Sequence, residues 1–289
     1  MLIALLVPMI LATLILAAVL LRALAAGRVR PRGEAVLLGA VTNFFDTLGI
    51  GSFAPTMAWF KVRRLVEDRM IPPTMLVGHA LPTMAQAMIF LVILGVLVDP
   101  VLLAGCIIAV LMGALVGAPL VSRSRVWVVQ AVVACALILA AGLYALANLG
   151  LMPGGGTAAS LPPLPMAIAI AANFLFGVLL NFGIGNYAPT LVMLSLMGMD
   201  PKFAFPIMAG GAGLAMAGAG VRHVKVGKLD LRVAAGMAIG GIPAVLLAAF
   251  IVKSMPVELL RWGVILVVLY AAIVMLRAAA IERKSEKAA

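Results

Sequence analysis

Few side chains in the apolar stretches of this chain can donate, accept or carry a proton, and several of those that can gather at two copies of one pattern. The first copy is Leu48-Gly49-Ile50-Gly51-Ser52-Phe53-Ala54-Pro55-Thr56, and the second is Phe182-Gly183-Ile184-Gly185-Asn186-Tyr187-Ala188-Pro189-Thr190. Ser52 and Asn186 hold the same position, and Thr56 and Thr190 follow four residues later, close to the same helix face. A Gly-Ile-Gly can open a helix, with the proline starting a second half-helix where its missing N–H costs nothing. The new half-helix then begins with unpaired N–H groups, which with the helix dipole favour an anion. Ser52 and Asn186 either donate to that anion or only cap their own helix ends. The expected chemistry is reversible binding of a small oxyanion by neutral donors. The binding set is Gly49, Gly51, Ser52 and Thr56 with Gly183, Gly185, Asn186 and Thr190, and the anion is expected between the two half-helix N-termini.

Two further residues bear on coupling or gating. Asp46 is the acidic residue inside an apolar segment, where an ionised carboxylate is expensive without a donor. It either takes a proton or gates substrate, or it accepts hydrogen bonds that hold the broken helix. Its counterpart in the second copy is Leu180, so its role is asymmetric. His79, with Thr83 and Gln86 on the same helix face, can carry a proton near neutral pH or donate between helices. Asn43, Asn173 and Asn181 are other polar residues of the motif segments, and His223 lies in the basic run Arg222–Lys228 and reads as solvated. Two histidines and the two cysteines Cys106 and Cys135 offer little to a metal or cofactor, so none is expected. Met75, Met84 and Met88 read as packing rather than a soft-metal site. No paired-carboxylate motif, His/Asp cluster or nucleophile elbow suggests an enzyme.

The elements that must position these residues are membrane helices. A hydrophobic content of 65%, 11% charged residues and a mean hydropathy of +1.23 exclude an ordinary soluble domain. The net charge of +11 sits in short loops between apolar runs, where it orients a membrane protein rather than binding nucleic acid. Residues 1–21 lack the basic start and cleavage site of a secretory signal and read as a retained helix. Nine apolar segments follow from hydropathy: about 1–21, 35–60, 73–98, 100–121, 126–149, 165–193, 203–219, 231–252 and 257–277. Trp59, Trp127 and Trp262 fall near their ends, as interface anchors do.

If all nine segments cross, Lys61, Arg63, Arg64 and Arg69 lie outside, against the positive-inside rule. If the two motif segments instead break and re-enter, only Lys202, Lys253 and Arg261 of the 21 basic residues remain outside. The expected fold is therefore an all-α integral membrane protein, an inverted-topology repeat with two broken or re-entrant helical hairpins. About seven full transmembrane helices result, with eight or nine as alternatives. Residues 1–34 form a leading helix and basic loop, 35–151 the first repeat, 152–164 an exposed linker, and 165–289 the second repeat with a basic tail. Small-residue runs at Gly113–Pro119 and Gly236–Ala244 suit close helix packing.

The two glycine motifs, the Pro-led helix after each and the basic loop Arg222–Lys228 resemble the TauE/SafE sulfite exporter family over roughly residues 35–280. The resemblance implies a multi-pass carrier with Gly49, Gly51, Gly183 and Gly185 at the hairpin tips; the expected location is the bacterial inner membrane, and the charge count places the C-terminus in the cytoplasm. The resemblance also implies sulfite or an organosulfonate such as sulfoacetate as substrate and an ion gradient as drive, with a proton as the expected coupling ion. A homodimer is left open. Many members carry further glycine where this chain has Ser52-Phe53, which bears on the substrate. Phe53 and its equivalent Tyr187 can narrow the site or wall off an alkyl or aryl group. The competing readings are a carrier of a carboxylate or other inorganic anion, and an anion channel or non-transporting membrane subunit.

Overall fold

The computed structural model describes residues 2–49, 51–67, 70–121, 125–151, 156–180 and 185–288. Helices make up its regular structure: α1 (Leu2–Gly27), α2 (Gly33–Thr47), α3 (Phe53–Arg63), α4 (Ile71–Ile93), α5 (Pro100–Val121), α6 (Val126–Asn148), α7 (Pro163–Leu180), α8 (Tyr187–Leu196), α9 (Ala204–Val226), α10 (Leu231–Ser254) and α11 (Val257–Ala288). Among the described residues, eight helices are long and apolar enough to cross a membrane, one more than the seven expected. The additional one is α7, whose 18 residues lie at the lower limit for a span. Both motif segments are interrupted. The first divides into α2 and α3 and the second into α7 and α8, neither α2, α3 nor α8 reaching spanning length. Each proline falls in the first turn of its short helix, Pro55 in α3 and Pro189 in α8, where an absent N–H breaks no helix bond.

The chain forms two compact units, and each draws helices from both halves of the sequence. The first comprises Met1–Ile93 and Ala212–Ser254. Here α10 lies along α2 and α4, and α1 packs on α4. Glycines let the backbones meet: a β-carbon at Gly39 would strike the Met237 carbonyl, and one at Gly240 the Val36 carbonyl. In lipid, where apolar side chains gain little from burial against each other, such close backbone approach supplies the packing energy. α2 and α3 fold back as a hairpin. At its base Trp59 Nε1 and Arg63 Nε donate to Glu34 Oε1 at 3.1 and 3.0 Å. At that same end Arg32 N donates to Arg232 O at 3.0 Å, and Asp230 N to Thr74 Oγ1 at 2.9 Å. The segments before α2, before α4 and before α10 therefore meet at one end of this unit.

The second unit comprises Leu94–Gly211 and Met255–Ala289. α7, which precedes the second motif as α2 precedes the first, packs along α5, and α6 packs along α11. Again glycine permits the approach: Gly113 faces the Phe174 carbonyl and Gly177 the Val110 carbonyl. Arg283 stacks over Trp127 with its guanidinium carbon 5.0 Å from the ring centroid. Part of the expected exposed linker is pinned. Asp99 N donates to Ala159 O at 2.9 Å, Asp200 N to Ala158 O at 3.0 Å, and Arg261 Nη2 to Gly156 O at 2.9 Å, while Leu161 is buried. Hydropathy missed this because the bonds use backbone atoms, which an uncharged Gly/Pro/Ser stretch does not advertise. These contacts bring the start of α5, the start of α11 and the chain after α8 to the linker that leads into α7.

Candidate functional site

At the first tip α2 ends at Thr47, and Gly49 and Gly51 take φ of 96° and 86°. A side chain strains that backbone, so glycine at both positions follows from the sharp reversal into α3. The Asp46 carboxylate closes the turn: Ser52 N donates to Asp46 Oδ1 at 2.7 Å. The Ser52 N–H at the break is thus held by a side chain of the preceding helix. Ser52 is the N-cap of α3 but makes no side-chain cap bond. Its carbonyl instead accepts from Thr56 N at 3.2 Å.

Thr56, fully buried, leads into a chain of polar contacts. Its Oγ1 lies 2.9 Å from His79 Nε2, and His79 Nδ1 lies 3.0 Å from Asn43 Oδ1. Asn43 Nδ2 in turn donates to Gly39 O at 2.7 Å. A carbonyl can only accept, so the Asn43 nitrogen faces Gly39 and its oxygen faces the imidazole. His79 Nδ1 must therefore carry the hydrogen. Phe53 covers the ring, centroid to centroid 5.6 Å. Pro82 in α4 and Asn43 both lie against Gly241 of α10, where a β-carbon would collide with each.

The second tip uses the same threonine differently. Asn186 is buried at the N-cap of α8 without capping it, and its Nδ2 donates to Met208 O at 3.2 Å. Thr190 Oγ1 donates directly to Asn173 Oδ1 at 3.0 Å, and Asn173 Nδ2 to Ala169 O at 2.9 Å. Thus an asparagine one turn above a helix carbonyl serves each motif threonine, through His79 in the first unit and without an intermediary in the second. Gly185 is exposed, with open space where a β-carbon would stand, as at Gly51. Tyr187 is buried and Phe53 partly so. Gly183 and Asn181 lie outside the described residues.

Asn43 and Asn173 were legible only as polar residues in apolar helices. Their partners are set by where the chain doubles back, which local spacing does not encode. Gln86, on the same helix as His79, is 1% exposed, and neither its Nε2 nor its Oε1 has a hydrogen-bond partner. Such an orphan is uncommon in a folded protein and marks a polar position on α4. Among the described residues no three His, Cys, Asp or Glu side chains converge to hold a metal.

The fold is that of a polytopic, all-α membrane protein. Residues 164–289, from α7 through α11, match the family model described as Sulfite exporter TauE/SafE, which supports assignment at the level of that family. No curated protein and no solved structure gives a match.

Proposed function

We propose that this protein is a secondary active transporter of a small sulfur-containing anion, sulfite or an organosulfonate such as sulfoacetate, driven by a proton gradient across the bacterial inner membrane. The observation that carries the reading is the pair of interrupted helices, each with a buried threonine held in a polar chain just past its break. The family match over the second copy supports the choice of substrate class. Broken helices whose short halves start near mid-membrane are the recurring means by which secondary transporters bind ions.

In this reading Gly49, Gly51, Ser52, Phe53 and Thr56 of the first tip and Gly183, Gly185, Asn186, Tyr187 and Thr190 of the second contribute to anion binding. Asp46 gates the first tip through the Ser52 N–H, and His79 carries the coupling proton. The inverted repeat is supported by the exchanged pairing, α2 with α10 in one unit and α7 with α5 in the other. The test is uptake of sulfite and sulfoacetate into proteoliposomes. Saturating uptake that accumulates against a gradient when a pH difference is imposed is the expected result. Flux that rises without saturation would make the protein a channel.

A further inference from the structure

The two motif threonines are not equivalent donors. Thr190 gives its hydroxyl hydrogen to Asn173 Oδ1, an acceptor that does not ionise, so that hydrogen stays committed. Thr56 faces His79 Nε2, which can hold either a lone pair or a hydrogen. Because Asn43 fixes the other ring hydrogen on Nδ1, a second proton has one place to go, Nε2.

We propose that Asn43 is a positioning residue that turns the His79–Thr56 pair into a proton-gated donor for the anion; this rests on the transport reading above. With the ring neutral, the Thr56 O–H is spent on the Nε2 lone pair. When a proton from water binds Nε2, the new N–H donates to Thr56 Oγ1. The threonine hydroxyl then turns from donor to acceptor toward the ring, and its own hydrogen becomes available to the anion in the first turn of α3. One positive charge and one donor arrive together, so proton and anion are favoured as a pair.

The ionisable side chains carried by the elements packed on α4 leave this relay to itself. Arg22 on α1, Lys61 and Arg63 on α3, Arg222 and Lys225 on α9, and Arg232 and Lys253 on α10 are exposed, and Glu34 on α2 and His223 on α9 are partly so. Asp46, one turn along α2 from Asn43, is the buried one, and its Oδ1 is engaged by Ser52 N.

Calorimetric titration of the purified full chain with sulfoacetate tests the proposal. Its sulfonate stays ionised throughout and its carboxylate is ionised down to about pH 5, whereas sulfite itself titrates near neutrality. The wild type should bind roughly tenfold or more tightly as pH falls from about 8 to about 5. Thr56→Val should bind more weakly than the wild type and show a smaller rise as pH falls, while Thr56→Ser keeps it. Asn43→Asp, which sets a carboxylate against Nδ1–H, should move the rise to higher pH. A wild-type pH profile in Thr56→Val, or an unmoved rise in Asn43→Asp, overturns the relay and leaves the transport reading standing. Absence of saturable binding by the wild type at every pH overturns both.

The chain has two histidines, so His223→Gln leaves His79 as the single ring to observe by nitrogen magnetic resonance. This reads the relay even where Thr56→Val does not fold. With sulfoacetate bound, an Nδ1–H ring that gains its proton at Nε2 over the pH range of the binding rise is expected; an Nε2–H neutral ring overturns the proposal.

Discussion

Two buried polar side chains near the first tip meet opposite fates. Asp46 accepts from Ser52 N and so holds the reversal between α2 and α3, while neither polar atom of Gln86 finds a hydrogen-bond partner. An amide oxygen can take over the first role but a hydrocarbon cannot. Asp46→Asn should therefore keep both thermal stability and gradient-driven accumulation, whereas Asp46→Leu should lose roughly 1–3 kcal/mol. If Asp46→Asn binds sulfoacetate but no longer accumulates it, the coupling proton sits on Asp46 instead of His79. Gln86→Leu should behave in the reverse sense: removing an unsatisfied amide raises the melting temperature. Slower uptake in the same variant would mark Gln86 as a residue kept for transport at a cost in stability. The glycines of the two tips differ as well. Gly51→Ala must hold φ near 86° and should be destabilised by about 1 kcal/mol, while Gly185→Ala meets open space and a backbone without positive φ, and should fold like the wild type.

At the scale of helices, the breaks themselves were readable, because Gly-Ile-Gly followed by Ala-Pro interrupts an apolar run whatever surrounds it. The partners of the pieces were not. Glycine runs in α5 and α10 announce close packing, yet nothing local says that α10 lies on α2 or that α5 lies on α7. That choice belongs to tertiary packing of backbone against backbone. Gly240→Ala and Gly177→Ala, whose new β-carbons would meet the Val36 and Val110 carbonyls, should each cost roughly 1–3 kcal/mol in a denaturation assay in detergent. Gly218→Ala, which meets nothing, is the matched control and should be neutral or slightly stabilising. The hairpin base offers a pH handle. The Arg63 hydrogen bond, then that of Trp59 and the charges of Arg63 and Arg32, hold the Glu34 carboxyl below its ordinary range. A lowered value means that the tether is complete above the usual glutamate range and is lost as pH falls through the lower folded value. Quenching of Trp59, in a chain with Trp127 and Trp262 replaced by Phe, should therefore rise only under distinctly acid conditions, and Glu34→Gln should raise it already at neutral pH.

For the whole chain, the charge distribution and the hydrogen bonds within each unit argue for the same path through the membrane. If α7 crossed completely, the chain would emerge on the side opposite its linker, and α8, with 10 residues, is too short to bring it back across. Yet the linker before α7 and the chain after α8 are joined by the Ala158–Gly198 and Ala158–Asp200 backbone bonds. The α2–α3 hairpin is closed at its base in the same way by Glu34. A return at α7–α8 would put the loops after α3 and after α9 on one side, and Thr74 and Asp230 do meet there. The positive-inside rule then predicts that side to be cytoplasmic, since it would gather Lys61, Arg63, Arg64, Arg222, Lys225 and Lys228, with Lys202, Lys253 and Arg261 opposite. Lys61→Cys and Lys228→Cys, exposed positions placed singly in a chain with Cys106 and Cys135 replaced by Ser, report the outcome. In sealed right-side-out vesicles neither should react with a membrane-impermeant maleimide until the vesicles are opened. Labelling of either one alone from outside would put an odd number of crossings between them, meaning that α7 spans and that the second hairpin does not re-enter, while the first hairpin is tested by Arg28→Cys, which should label from the same side as Lys61→Cys.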